Sequence, residues 1–210
     1  MIIQNTPQLL SHGNVSVRTT ILDILEAGLQ ATDPYENTKK MIRINDGHLI
    51  VGHEAFSRLH GQAPLVFDLS DVGNIYVVGG GKAAQRMAKA MEDVLWSLIT
   101  AGHINAKKGE PHWCTRIEVT FAGHPIPDAA SVTGSQWILE IEHKAKLGDL
   151  VFLSESGGGT ALMTLPAPGI TLQDLQGLNR ILYFEHGASK PDINAVRNQL
   201  VLLRGRHAET

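Results

Sequence analysis

Two glycine-rich stretches hold the residue types best suited to chemistry. The first, Gly79-Gly80-Gly81-Lys82, follows the apolar run NIYVV (74–78). A glycine turn between a strand and a helix lets backbone N–H groups approach an oxyanion, and the helix dipole adds favourable potential. Lys82 then either neutralises a phosphate or carboxylate, or is simply an exposed lysine on a tight turn. The GxxxxGK[ST] phosphate loop is excluded, because Ala83 stands where a metal-binding hydroxyl is needed. A dinucleotide fingerprint survives only in the shifted register Gly79-x-Gly81-x-x-Ala84. The second stretch, Ser156-Gly157-Gly158-Gly159-Thr160, follows LVFLS (150–154) and lacks a lysine. Its hydroxyls and glycines suit a phosphate cradle, and equally a flexible turn.

Three further groups of residues carry weaker signals. GHPIPD (123–128) has two prolines that stiffen its backbone, so His124 and Asp128 project from a fixed platform. They either hold substrate or a metal-bound water, or else Asp128 caps a helix and His124 packs. Asn194 and Arg197 share a helical face at i, i+3 and suit an anion or a solvated surface. His112-Trp113-Cys114 offers soft ligands without partners at metal spacing, so no metal site is assigned. No G-x-S-x-G occurs, which removes the nucleophile-elbow reading.

The elements that must position these residues follow from periodicity. Residues 1–14 read as a loose leader. Ile21, Ile24, Leu25 and Leu29 recur at helical spacing up to a stop at Asp33-Pro34. MIRINDGHLIV (41–51) reads as a hairpin about Asn45-Asp46-Gly47, and residues 52–71 give little signal. After the strand at 74–78, Ala84, Met87, Ala88, Met91, Val94, Leu95 and Leu98 mark one helical face, with Gly102 as its stop. IEVTF (117–121) is the next strand, and Asp128 opens a helix to about Lys146. LVFLS is another strand. Thr171 to Asp174 resembles a capping box, its helix ends near Gly187, and Ile193, Val196 and Leu200 mark a last helix. Alternating strands and helices predict an α/β fold, with a mainly parallel sheet and helices on both faces. Ligands bind such sheets beyond the carboxyl ends of the strands, where both glycine loops and GHPIPD fall.

Composition excludes several classes. The 210 residues carry 18 Lys+Arg and 21 Asp+Glu, a net charge of 18 − 21 = −3, which argues against an electrostatic nucleic-acid binder. No stretch approaches the roughly 18–20 apolar residues that span a bilayer, so no membrane partner is expected. The single cysteine, Cys114, rules out an internal disulfide and fits a reducing, cytoplasmic location. The length fits one domain, taken as 15–210 after the leader.

VVGGGKAA (77–84), AGHPIPD (122–128), SGGGTAL (156–162), PAPGITLQD (166–174) and GASKPDINAVRNQL (187–200) follow one another as in the class II glycerate kinases. The chain resembles these glycerate 2-kinases, which carry a C-terminal MOFRL domain; some relatives are labelled hydroxypyruvate reductases. The resemblance implies ATP-dependent, Mg²⁺-requiring phosphorylation of D-glycerate to 2-phosphoglycerate. It also implies a Rossmann-like α/β/α sandwich with its cleft against a second domain. By the same resemblance Lys82 is catalytic, and Gly79, Gly80, Gly81, Ser156, Gly157, Gly158, Gly159 and Thr160 bind nucleotide or phosphate. His124, Asp128, Asn194 and Arg197 would bind substrate. The chain stops at RNQLVLLRGRHAET, with Arg204-Gly205-Arg206 in place of the family's Lys-Gly-Gly, and lacks the MOFRL domain. A separate chain or a homo-oligomer would then complete the cleft, and a sheet edge would be left unpaired. Two alternatives stand beside this reading: an NAD(P)H-dependent hydroxypyruvate reductase, and a truncated, non-catalytic ligand-binding domain.

Overall fold

The run starting at Ile75 becomes the innermost strand of the main sheet. In the computed structural model, which describes residues 1–57 and 61–203, β4 (Ile75–Gly80) is buried along its whole length. The Arg204-Gly205-Arg206 segment lies outside the described residues. β4 pairs in parallel with β5 (Ile99–Lys107) on one side and with β7 (Leu150–Glu155) on the other; β6 (Glu118–Ala122) adds in parallel beyond β5. The order is β6-β5-β4-β7, so the direction of winding reverses between β4 and β7. Ligands bind such sheets at this reversal, and both glycine loops leave from it.

Alternation along β4 feeds two cores. Ile75 and Val77 pack with Ala84, Ala88, Met91 and Leu95 of α4 (Ala84–Leu95), while Tyr76 and Val78 pack with Ile138 and Ile141 of α5 (Ala129–Glu142). Of the face expected for this helix, Ala84, Ala88, Met91 and Leu95 are buried and Met87 and Val94 half-buried, whereas Leu98 lies beyond α4 in a 3-10 turn and is exposed. The helices beyond are short: α6 (Gly159–Leu162), α7 (Leu172–Arg180) with a π-turn over Ile181–Glu185, and α8 (Lys190–Asn198). The Thr171–Asp174 capping box forms as expected, with the Asp174 N–H donating to Thr171 Oγ1 at 3.1 Å.

Several elements differ from expectation. Gly102 does not stop a helix: α4 ends at Leu95, Trp96 takes φ 31°, and a 3-10 turn leads straight into β5. Gly102 sits inside β5, where a Cβ would come 2.7 Å from the Val77 carbonyl oxygen. The leader contains a one-turn helix, α1 (Thr6–Leu9), and the N–H groups of Ile2 and Ile3 donate to Glu26 at 2.6 and 2.8 Å. Asp33-Pro34 ends α2 (Val15–Ala31) but also starts α3 (Pro34–Met41), because Asp33 accepts from the N–H groups of Tyr35 and Glu36. The silent stretch 52–71 supplies β3 (Leu65–Asp68), which joins the hairpin β1 (Ile42–Asn45) and β2 (His48–Val51) in a small antiparallel sheet. The hairpin itself is as read, with Asp46 and Gly47 both at positive φ.

Two surfaces stand uncovered among the described residues. β7 has β4 as its one neighbour, and its Val151 and Leu153 are exposed. α2 buries none of its residues, and Val17, Ile21, Ile24 and Leu25 stay at least half exposed.

Candidate functional site

The β4–α4 turn and the β7–α6 turn are laced to one another. Lys82 N–H donates to the Gly157 carbonyl oxygen at 3.0 Å, and Ala83 N–H to Ser156 Oγ at 2.9 Å. Ser156 N–H returns to the Gly80 carbonyl, and Gly81 N–H donates to the Asn105 carbonyl at 3.1 Å. The glycines exist for this contact. Gly79 and Gly81 hold φ near +144°, and a Cβ on either would strike the backbone of Ser154 or the Ser156 side chain. A Cβ on Gly80 would meet the Met163 side chain.

This corrects one expectation. The N–H groups of Gly81, Lys82 and Ala83 are already spent on protein acceptors, so the first glycine loop offers no free backbone cradle. In the shifted dinucleotide fingerprint, Gly79 and Gly81 face Ser154 and Ser156 and do not line the cleft. The first loop instead fixes where Lys82 emerges. Asn105 fastens the arrangement from below. Its buried carboxamide donates to the Leu162 carbonyl at 2.8 Å and to the Ser131 carbonyl at 3.3 Å.

Above the two turns lies a cleft of about 280 Å³. Lys82, His124, Pro125, Gly157, Gly158, Thr160, Ala161, Tyr183, Lys190, Asn194 and Arg197 line it. Larger clefts occur elsewhere, including one of about 710 Å³ beside the small sheet, but they lie away from the strand ends that carry the glycine loops. The small cleft gathers three cations from two elements, Lys82 ahead of α4 and Lys190 with Arg197 on α8. His124 reports the resulting field. Burial pushes its imidazole below the ordinary value, and Lys82, Lys107, Arg197 and Lys190 push the same way, so the ring is neutral near pH 7.

The residues singled out in the sequence divide into three groups. Lys82, His124, Gly157, Gly158, Thr160, Asn194 and Arg197 come together at the cleft. Gly79, Gly80, Gly81, Ser156 and Gly159 do not line it and act through the packing beneath. Asp128 stands apart as the N-cap of α5, accepting from Ser131 N–H at 3.0 Å and paired with Lys108. Burial alone would raise its carboxyl, but the Lys108 ammonium and the N–H groups of Ser131 and Gly123 hold it below the usual range. Arg197 is buried to 4% exposure and donates from Nη2 to the Thr160 carbonyl at 2.8 Å, so it braces α6 as well as charging the cleft. Thr160 Oγ1 donates to Asn194 Oδ1 at 3.3 Å, tying the same two helices.

Lys190 and Tyr183 were missed. Lys190 was legible: it stands four residues before Asn194 and seven before Arg197, the spacing of one helix face. Tyr183 sits in a π-turn that periodicity does not announce. Among the described residues no group of three or more His, Cys, Asp or Glu could hold a metal. No described helix is long and apolar enough to cross a membrane.

With this geometry in view, similarity to known proteins is informative. A family model described as "Domain of unknown function (DUF4147)" matches residues 20–207. The glycerate 2-kinase of Pyrococcus horikoshii is 35% identical over 91% of this chain and 40% of its own length. The D-glycerate 2-kinase of Thermotoga maritima is 36% identical over 66% of this chain and 34% of its own. A crystal structure of a Pyrococcus horikoshii protein superposes with a TM-score of 0.75 at 35% identity, over 92% of this chain and 41% of that one. The Thermotoga maritima glycerate kinase structure gives 0.57 over 65% of this chain. The chain thus spans well under half the length of the relatives it matches. The parallel sheet, the flanking helices and the extent of the match agree, and the chain belongs to the DUF4147 family, as the N-terminal domain of the glycerate kinases.

Proposed function

We propose that the cleft binds the phosphoryl group in ATP-dependent phosphorylation of D-glycerate to 2-phosphoglycerate, this chain carrying the first part of the active site. The observation that carries the reading is the convergence of Lys82, Lys190 and Arg197 on one small cleft at the reversal point of the sheet. Phosphoryl transfer needs negative charge on non-bridging oxygens neutralised and the nucleophile held in line. Lys82, exposed at the start of α4, neutralises the transferring group. Lys190 and the buried Arg197 hold the second anion, whether carboxylate or phosphate. Gly158 and Gly157 keep the floor low enough for oxygen to approach. The tri-cationic lining fits ATP phosphates. Among the described residues no group of three or more His, Cys, Asp or Glu stands together to hold Mg²⁺.

The relatives named glycerate kinase in Pyrococcus and Thermotoga support the substrate class. The chain covers 40% of the former, and the part of that relative it does not match is the candidate for the rest of the cleft. The test is D-glycerate-dependent ADP formation by the chain, alone and with a C-terminal part of a relative. Enolase then identifies the product, because it dehydrates the 2-phosphate and not the 3-phosphate. Lys82→Met should abolish turnover and leave the fold intact. Near-normal turnover by that variant would refute the role of Lys82. NADH-dependent reduction of hydroxypyruvate without kinase activity would refute the reading as a whole.

A further inference from the structure

His124 lines the cleft beside its three cations, Lys82, Lys190 and Arg197. Its imidazole edge lies against the second glycine loop: a Cβ on Gly158 would come 3.0 Å from both Cδ2 and Nε2 of the ring, and 3.3 Å from Cγ of Lys82. The ring edge, the lysine stem and the bare α-carbon of Gly158 therefore meet at one point of the cleft. Among the described residues neither ring nitrogen has a hydrogen-bond partner, and the ring is half-buried. A half-buried imidazole lining a cleft, with neither nitrogen bonded to a described residue, has both nitrogens open to a ligand or water.

We propose that His124 is the proton-linked contact of this cleft: it faces the phosphoryl dianion of a phosphorylated hydroxy acid and takes up one proton as that ligand binds. The proposal rests on reading the cleft as a phosphate site. The charged groups that face the ring come from every neighbouring element: Lys82 ahead of α4, Lys107 at the end of β5, and Lys190 and Arg197 on α8. The Tyr183 hydroxyl comes from the π-turn. Of the carboxylates on neighbouring elements, Asp128 pairs with Lys108, Asp192 accepts from the Ser189 hydroxyl at 2.6 Å, and Glu155 at the end of β7 lies against Gly159. In the empty cleft burial and these four cations keep the ring neutral. A dianion placed against the ring offsets the field of these cations, and its direct contact with the imidazole favours the protonated form, which donates a charge-assisted hydrogen bond. Glycerate brings one carboxylate charge; the phosphorylated acid brings a phosphoryl group near −2 as well. The coupling therefore favours the phosphorylated acid over the free one.

The test is a titration of the imidazole Cε1–H resonances of the whole chain by NMR between about pH 5 and 8, the window in which imidazole titrates. His124 is assigned by its disappearance in His124→Gln. Three states are compared: no ligand, 2-phosphoglycerate and D-glycerate. The expected result is a His124 midpoint below the ordinary histidine value in the empty chain, moving up by about one unit or more with 2-phosphoglycerate and little with D-glycerate. One unit corresponds to roughly tenfold in affinity across the titration. His124→Gln and His124→Asn should bind 2-phosphoglycerate more weakly and lose that pH dependence; sulfate, dianionic throughout, should show the same loss free of the ligand's own titration. If 2-phosphoglycerate perturbs Lys82 and Asn194 while the His124 midpoint stays put, the proton link is wrong and the phosphate site stands. If D-glycerate moves the midpoint equally, the preference for the dianion is wrong. If no resonance around the cleft responds to millimolar 2-phosphoglycerate or sulfate, both the link and the phosphate reading fall.

Discussion

Replacing Gly158 by alanine tests the floor of the cleft directly. Gly158 holds φ +98°, a conformation that L side chains avoid at a cost of roughly 1–2 kcal/mol. The new methyl would also stand 3.0 Å from the His124 ring and 3.3 Å from Lys82 Cγ, tighter than ordinary contact, so the ring must give way. Gly157 is the internal control. A Cβ there meets nothing within 4 Å, and its φ lies outside the left-handed range. Both substitutions stiffen the unfolded chain equally, an effect of about 0.4–1 kcal/mol that cancels in the difference. Gly158→Ala should therefore be less stable than Gly157→Ala by roughly 1–3 kcal/mol in urea titrations at unchanged slope. Binding of 2-phosphoglycerate should fall about tenfold or more, because a shift of the ring spoils the contact at the point where three groups meet. Equal stability of the two variants would refute the strain. Equal stability with equal binding would show that neither the left-handed turn nor the His124 contact matters.

Three other outcomes follow from named contacts. Glu92 is wholly buried, and burial alone would raise its carboxyl. The N–H groups of Arg116, Ile117 and Thr115, with Lys89, reverse this and hold it at about 2, against an ordinary value of 4.5. A lowered carboxylate stabilises fully above its unfolded value, so up to about 3 kcal/mol should be lost as pH falls from 4.5 towards 2. Glu92→Gln should flatten that acid limb in pH-dependent unfolding; an unchanged limb would exclude Glu92 as its source. Arg197→Met removes the charged donor from the Thr160 carbonyl, which keeps only the Thr164 hydroxyl at 2.9 Å, and should cost about 1–3 kcal/mol by chemical denaturation. Lys82→Met, at an exposed position, should lie within about 0.5 kcal/mol of the parent, so its loss of turnover is not loss of fold.

The sequence announces strands that bury one environment at a time and hides those that do not. IYVV (75–78) is an unbroken apolar run, and it forms the inner strand β4. ITAGHINAK, β5, is almost as buried but mixes Thr, Gly, His and Asn into the run, so Gly102 looks like a helix stop when it is a close approach to Val77. β3 was silent because LVFD has no partner within its own neighbourhood and pairs across the hairpin. α2 shows the opposite limit. Its apolar positions recur at the expected spacing, yet the described residues leave Ile21, Ile24 and Leu25 exposed. Periodicity locates an apolar face and says nothing of what covers it. At the site, residue type and spacing found Lys82, His124, Asn194 and Arg197, all of which reach the cleft, but could not separate a glycine that binds from one that packs.

That separation decides how the cleft works. A glycine-rich turn ahead of a helix suggests backbone N–H groups as the anion donors. Here the N–H groups of Lys82 and Ala83 are consumed in joining the β4 turn to the β7 turn, and Gly79 and Gly81 lack side chains so that the two turns can touch. The work of holding charge then passes to side chains, and those side chains come from opposite ends of the sequence of elements. Lys82 enters from the first half of the sheet, and Lys190 and Arg197 from α8, about a hundred residues later. Arg197 cannot swing freely, because it is buried and braces the Thr160 carbonyl, whereas Lys82 is exposed. On the reading proposed above, a fixed cation facing an exposed one would hold one anion while the other follows the group that moves, at the point where Gly158 and His124 meet.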